Sequence, residues 1–155
     1  MLFHKLISTG LGIGYIGKGA GTVAAIACCI CWYLAWAGGY PPLILSFLIT
    51  LIVTALGVWS GNIVEAIWGK DHGRVVIDEI AGMAISLLFL PVNWKVVLVA
   101  LILFRFFDIV KPLLIRRVEA LPGGWGVMFD DVLAGVYTNL LLQAALTINL
   151  FNVKI

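Results

Sequence analysis

Long apolar runs separated by short polar segments dominate the sequence. A helix that crosses a bilayer needs about 20 mostly apolar residues. The runs near this length predict five membrane-spanning helices, at residues 22–37, 43–64, 76–90, 94–110 and 132–151. The runs are continuous and do not alternate as barrel strands do, so we predict an all-α, polytopic helical bundle. We expect one domain over residues 1–155, with the Gly-rich first 17 residues as an interfacial or re-entrant segment.

The composition supports a membrane location. Hydrophobic residues make up 63% of the 155 residues and charged residues only 12%. Soluble domains carry about 25% charged residues, and a chain this small could not bury so much apolar surface. The net charge of +2 does not favour nucleic acid as a partner.

The basic residues predict the orientation. Under an alternating topology, seven fall on one side of the membrane: Lys5, Lys18, Lys70, Arg74, Lys111, Arg116 and Arg117. Only Lys95 and Lys154 fall on the other side. Lys and Arg are enriched in cytoplasmic loops, so the first side is predicted to face the cytoplasm. All eight acidic residues, which lie between Glu65 and Asp131, fall on that same side.

The segment KDHGRVVIDEIAGM, at residues 70–83, holds the first group of polar candidates. Asp78 and Glu79 are predicted to open a helix, where the helix dipole favours carboxylates. They could simply cap the helix, but a cap needs one acid. His72 follows Asp71 in the preceding loop and is a further candidate.

The segment FRFFDIVKP, at residues 104–112, holds the second group. Arg105, Asp108 and Lys111 are each three residues apart, so they are predicted to share one helix face. This arrangement suits either a self-neutralising ladder at the membrane edge or a phosphate and metal site.

The segment GGWGVMFDD, at residues 123–131, is predicted to be a Gly-rich loop whose backbone could approach a ligand, with a tight turn and a helix cap as the alternative. Asp130 and Asp131 are then expected to open the last helix. Asn62 and Glu65 end the second run, and a structural polar contact is an equal alternative for them.

Several helix ends therefore bring carboxylates and basic groups to one membrane edge. Oxygen ligands suit Mg²⁺, and Arg or Lys can stabilise a transferring phosphoryl group. A substrate with acyl chains and a phosphate headgroup fits this position. Two other classes stay open, a small membrane cation carrier and a lipid kinase or phosphotransferase. A nucleotide-binding G-x-x-x-x-G-K-[ST] loop is missing from the sequence.

Four stretches in this order resemble the phosphatidylglycerophosphatase A family: GAGTVAA, DHGRVVIDEIAGM, LFRFFDIVKPLLIR and GGWGVMFDDVLAG. The resemblance implies a Mg²⁺-dependent phosphatase of the bacterial inner membrane that converts phosphatidylglycerophosphate to phosphatidylglycerol. We expect its active site to face the cytoplasm. Two departures are a missing Pro before Gly21-Thr22 and Leu114 in place of a second Pro after Lys111-Pro112.

The resemblance and the residue pattern together give the expected site. The expected catalytic residues are Asp78, Asp108, Asp131 and His72, with Asp108 as ligand, base or nucleophile. The expected metal ligands are Glu65, Asp78, Glu79, Asp130 and Asp131. The expected phosphate-binding residues are Thr22, Arg105, Lys111 and Arg116.

Overall fold

The computed structural model describes residues 1–70 and 72–151, so Asp71 and Lys154 lie outside the described residues. Every regular element within these ranges is a helix, which confirms the all-α prediction. A short 3₁₀ turn, Ile13–Ile16, joins the first two of seven α-helices. These are α1 (Leu2–Ser8), α2 (Ala20–Trp36), α3 (Leu43–Trp68), α4 (Ile77–Leu87), α5 (Trp94–Val110), α6 (Ile115–Val118) and α7 (Gly124–Thr147).

Helix α7 is the centre of the bundle, because α3, α4, α5 and α6 all pack against it. Small residues allow the closest crossings. A Cβ on Gly82 of α4 would lie 2.6 Å from the backbone oxygen of Asp131 in α7. A Cβ on Gly61 of α3 would lie 3.1 Å from the Cα of Gly124. Glycine at these crossings lets the helix backbones approach closely, as small residues do in membrane bundles.

Helix α4 is shorter than the predicted third span, because it ends at Leu87. Eleven residues rise only about 16 Å. The chain continues through buried, non-helical residues 88 and 90–92. Asn139 of α7 donates through Nδ2 to the carbonyl oxygens of Ile85, Ser86 and Leu88, at 3.1, 3.2 and 2.7 Å. This side chain satisfies carbonyls that the end of a helix leaves without partners.

The other apolar runs are helices close to their predicted limits. Helices α2 and α5 match theirs within two residues, whereas α3 continues to Trp68 and α7 begins eight residues early, at Gly124. In the described chain, only α3 has the length and apolar composition to cross a membrane by itself. The turn after α2 pairs with the segment before α5, since Gly38 N donates to Val92 O and Val92 N to Gly39 O.

The N-terminal segment packs against the end of the bundle that carries the acids. Helix α1 lies on α3, where His4 and Trp59 form an edge-to-face ring contact at 4.7 Å. The amide of Val76, which precedes α4, donates to the carbonyl of Ser8 at 2.8 Å. The first residues therefore support the start of α4.

Candidate active site

Two carboxylates of the site lie in the first turn of α4. Asp78 and Glu79 are its second and third residues, as the sequence predicts. The unpaired backbone N–H groups and the dipole of a helix N-terminus stabilise negative charge. Asp78 is 8% exposed, so its carboxylate has lost most of its hydration.

Asp131 of α7 brings a third carboxylate to the same place. One oxygen each of Asp78, Glu79 and Asp131 lies within 4.8 Å of the other two. The close crossing of α4 over α7 at Gly82 makes this approach possible, because the backbone oxygen of Asp131 lies against that glycine. Asp131 is only 3% exposed.

The three carboxylates fit a divalent cation. Buried like charges repel strongly unless protons or a cation offset them. Among the residues that the structure describes, Asp78 Oδ1 and Glu79 Oε2 also have no hydrogen-bond partner although they are buried, and a buried polar atom in that state is costly. A hard cation with oxygen ligands would satisfy both atoms.

Arg105 and Asp108 of α5 lie beside this cluster. Arg105 Nη1 is 2.6 Å from Asp108 Oδ2 and 3.8 Å from Glu79 Oε1. The carboxyl group of Asp108 also neighbours that of Asp131. Within the described part of the chain, Arg105 Nε and Nη1 are buried without a hydrogen bond of normal geometry, although Nη1 makes the short contact to Asp108. The guanidinium therefore has donors to offer a ligand.

The N-terminus of α2 reaches the same cluster through Gly21. A Cβ at this position would collide with Glu79 Oε1, so only glycine lets the backbone approach that carboxylate. Thr22 is the next residue and is half-buried in the first turn of α2. The sequence points to Thr22, but it does not reveal the contact of Gly21, which depends on how α2 and α4 pack.

Lys111 lies apart from Arg105 and Asp108, so the prediction of one shared helix face is wrong for this residue. Helix α5 ends at Val110, and Lys111 takes a left-handed backbone conformation with φ 48° and ψ 56°. Pro112 follows it, and a residue before proline is disfavoured in the helical region. The turn directs Lys111 Nζ to Asp130 Oδ2 at 2.8 Å and Glu119 Oε1 at 2.9 Å.

This ion-pair network keeps Lys111 charged. Burial by itself lowers the pKa of a lysine, but the hydrogen bonds and negative charges of Asp130 and Glu119 outweigh it here. The net result is a pKa above the usual lysine range. Asp130 is thus neutralised by Lys111 and is not among the three clustered carboxylates.

Gly124 and Gly126 are helical and only Gly123 stays outside the helix as its N-cap, which corrects the predicted loop. Helix α7 begins at Gly124, so Asp130 and Asp131 lie in its second turn and do not open it. Gly124 N donates to Asn62 Oδ1 at 2.8 Å, which satisfies one free amide of the helix start. Gly124 also packs directly against α3. These glycines serve helix packing at this point.

The remaining candidates lie outside the carboxylate cluster. Glu65 Oε2 is buried near Asn62 and Gly123 and has no hydrogen-bond partner in residues 1–70 and 72–151. His72 contacts the Trp68 ring at 5.7 Å and accepts a hydrogen bond from Arg74 N at 3.3 Å. Arg116 is exposed and lines a polar cleft next to Asp130.

Comparison with known proteins gives one family. The family model described as phosphatidylglycerophosphatase A matches residues 6–146. Proteins of that name from Haemophilus influenzae and Escherichia coli are 38% and 35% identical to the chain. The alignments cover 90% and 84% of this chain and 86% and 76% of the relatives.

A third relative, from Bacteroides thetaiotaomicron, carries the provisional name phosphatidylinositol-3-phosphatase. It is 42% identical, over 90% of this chain and 91% of its own length. No solved structure gives a significant match.

Proposed function

This chain belongs to the phosphatidylglycerophosphatase A family, and we propose that its acidic cluster is where phosphatidylglycerophosphate loses its terminal phosphate. The products are phosphatidylglycerol and inorganic phosphate. One observation carries the assignment: Asp131 lies far along the chain from Asp78 and Glu79, yet the three carboxylates converge beside Arg105 and Asp108.

We assign the metal ion as Mg²⁺, held by Asp78, Glu79 and Asp131. All three offer carboxylate oxygens, and Mg²⁺ commonly binds through one or two carboxylates and substrate phosphate. When bound, the ion would draw negative charge from the phosphoryl oxygens and so favour attack at phosphorus. Asp130 and Glu65 lie outside this set of ligands.

The neighbouring residues would handle the phosphate and the proton. The positive charge of Arg105, through its Nε donor, and the first turn of α2 at Thr22 stabilise charge on the phosphoryl group. Asp108 takes a proton from the attacking water, whose oxygen forms the new bond to phosphorus. The bond from phosphorus to the glycerol oxygen breaks, and that oxygen takes a proton from solvent water to become the alcohol of phosphatidylglycerol. Asp108 returns its proton to solvent.

We place this chemistry at the cytoplasmic edge of the bacterial inner membrane, in a chain that crosses the bilayer five times. Helices α2, α3, α5 and α7 have 17, 26, 17 and 24 residues, and their outer surfaces expose many large apolar side chains. Helix α4 and the buried segment after it would form the remaining crossing. The carbonyl cap from Asn139 supports this, because a free carbonyl in the bilayer is costly.

Phosphate release by the purified protein tests the function. Mixed micelles of detergent and phosphatidylglycerophosphate should yield phosphate with Mg²⁺ and without nucleotide. Excess EDTA should stop the release, and added Mg²⁺ should restore it. A nucleotide requirement would favour a phosphotransferase, and folded protein that releases no phosphate would favour a carrier.

The Bacteroides thetaiotaomicron relative makes phosphatidylinositol 3-phosphate a second candidate substrate. Both lipids carry a phosphate monoester, so the same carboxylates could serve either. The assay should compare kcat/KM for the two lipids in matched micelles. A higher value for the inositol lipid would reassign the headgroup and leave the chemistry unchanged.

A further inference from the structure

A cleft of about 440 Å³ with four charged side chains on its walls opens beside the carboxylate cluster. Asp130 forms part of its wall and is adjacent in the chain to Asp131 of the cluster. Gly126 and Val127, one turn earlier in α7, form its buried side. Lys70, which follows α3, and Arg116 of α6 line the cleft and are exposed to solvent.

The cleft presents positive charge to a ligand. Its two acids, Asp130 and Glu119, are both bound by Lys111, at 2.8 and 2.9 Å. Within the described residues, neither Lys70 nor Arg116 has a carboxylate within 4 Å. The two basic groups can therefore neutralise an anion that enters the cleft.

The reaction supplies phosphate groups in two ways. Phosphatidylglycerophosphate carries a phosphodiester as well as the terminal monoester, and hydrolysis releases inorganic phosphate that must reach water. A guanidinium and an ammonium group on the walls of one cleft suit either anion. Lipid product can return to the bilayer, whereas free phosphate needs a polar exit.

We propose that this cleft is a second phosphate site, distinct from the three carboxylates and built by Lys70 and Arg116. This inference rests on the proposed phosphatase function and extends it. The site binds either departing inorganic phosphate or the phosphodiester of a substrate whose monoester lies at the cluster. Lys70 and Arg116 are thus residues for product release or substrate specificity.

The test uses Lys70→Gln, Arg116→Gln and the double variant in purified full-length protein. Arg117→Gln is the matched control, because Arg117 is the exposed neighbour on α6 but does not line the cleft. Two measurements separate the sources of phosphate. The first is inhibition of lipid hydrolysis by added inorganic phosphate. The second is KM for phosphatidylglycerophosphate against KM for phosphatidic acid, which has a monoester but no phosphodiester.

For a product site, the inhibition constant of phosphate should rise about tenfold in the double variant. For a phosphodiester site, KM should rise about tenfold for phosphatidylglycerophosphate and stay unchanged for phosphatidic acid. Arg117→Gln should match the wild type in both measurements. An active double variant with wild-type values in both would overturn the proposal and leave the proposed function intact. An inactive wild type would contradict the function itself.

Discussion

At the residue scale, the three clustered carboxylates and Asp108 have different surroundings. Asp131 is buried and shares the cluster with Asp78 and Glu79, whereas Asp108 is paired with Arg105 at 2.6 Å. Loss of the charge on a metal ligand should change the Mg²⁺ concentration that the enzyme needs, whereas loss of the charge on a general base should not. The proposed roles can therefore be separated by kinetics.

We predict that Asp131→Asn and Asp108→Asn each lower kcat by about 10²-fold or more, the range in which a general base contributes. Asp131→Asn should also raise the Mg²⁺ concentration needed for half-maximal activity, because one ligand has lost its charge. Asp108→Asn should leave that concentration near the wild-type value. Phosphate release across a Mg²⁺ titration measures both quantities.

Lys95→Gln, at the far end of α5, is the control and should keep wild-type kinetics. Thermal unfolding in detergent shows whether each variant is folded. Full activity in folded Asp108→Asn and Asp131→Asn would rule out the assigned roles.

Lys111 gives a prediction about stability. Lys111→Met leaves Asp130 nearly buried without its cation, so we expect a loss of about 2 kcal/mol in the free energy of unfolding. This is less than the roughly 3–5 kcal/mol for a fully buried pair, since Lys111 is partly exposed. The double variant Lys111→Met/Asp130→Asn should recover part of the loss, because no buried charge remains unpaired. Equal stability of the single and double variants would contradict this account.

At the element scale, the site depends on how closely α4 crosses α7. We predict that Gly82→Ala lowers activity at least about tenfold. The new Cβ would lie 2.6 Å from both the Asp131 backbone oxygen and the Phe104 ring, so it would displace Asp131. Small misplacements in active sites are costly. Gly39→Ala is the control, since a Cβ there has no atom within 4 Å. Phosphate release from both variants is the measurement, and equal activities would show that the crossing tolerates a methyl group.

Hydrophobic runs predict the helices well where one apolar segment forms one helix. The limits of α2 and α5 follow from flanking Gly and Pro residues, which break helices by local chemistry. The early end of α4 could not be predicted in this way, because its last carbonyls are satisfied by Asn139, a residue more than 50 positions later. Long-range contacts of this kind leave no mark on local periodicity.

The candidate site is predictable to a similar extent. The acids of the cluster stand out because charged residues are costly in apolar segments. Their partners do not stand out. Lys111 turns away from Asp108 at a left-handed residue, and Gly21 contacts Glu79 only through helix packing. Lys70 joins the cleft through the packing of two loops, so no spacing in the sequence indicates it.

At the scale of the whole molecule, the acidic side chains that the structure describes gather at one end of the bundle, together with most of the basic ones. The three clustered carboxylates, Arg105, Lys111 and the polar cleft all lie where α4 and α7 begin and α5 ends. The other end holds the turn after α2, which pairs with Val92 shortly before α5. This polarity suits an enzyme whose substrate has its headgroup in water and its acyl chains in one leaflet.

The same polarity predicts which end faces the cytoplasm. Lys95 begins α5 and Arg117 follows the end of that helix, so the two residues should lie on opposite sides of the membrane. In a variant with Cys28, Cys29 and Cys31 changed to Ala, Lys95→Cys should react with a membrane-impermeant maleimide in intact spheroplasts. Arg117→Cys should react only after the membrane is permeabilised, because the basic loops are predicted to face the cytoplasm. The reverse pattern would place the carboxylates on the outer surface of the membrane. Labelling of both sites in intact spheroplasts would argue that α5 does not cross the membrane.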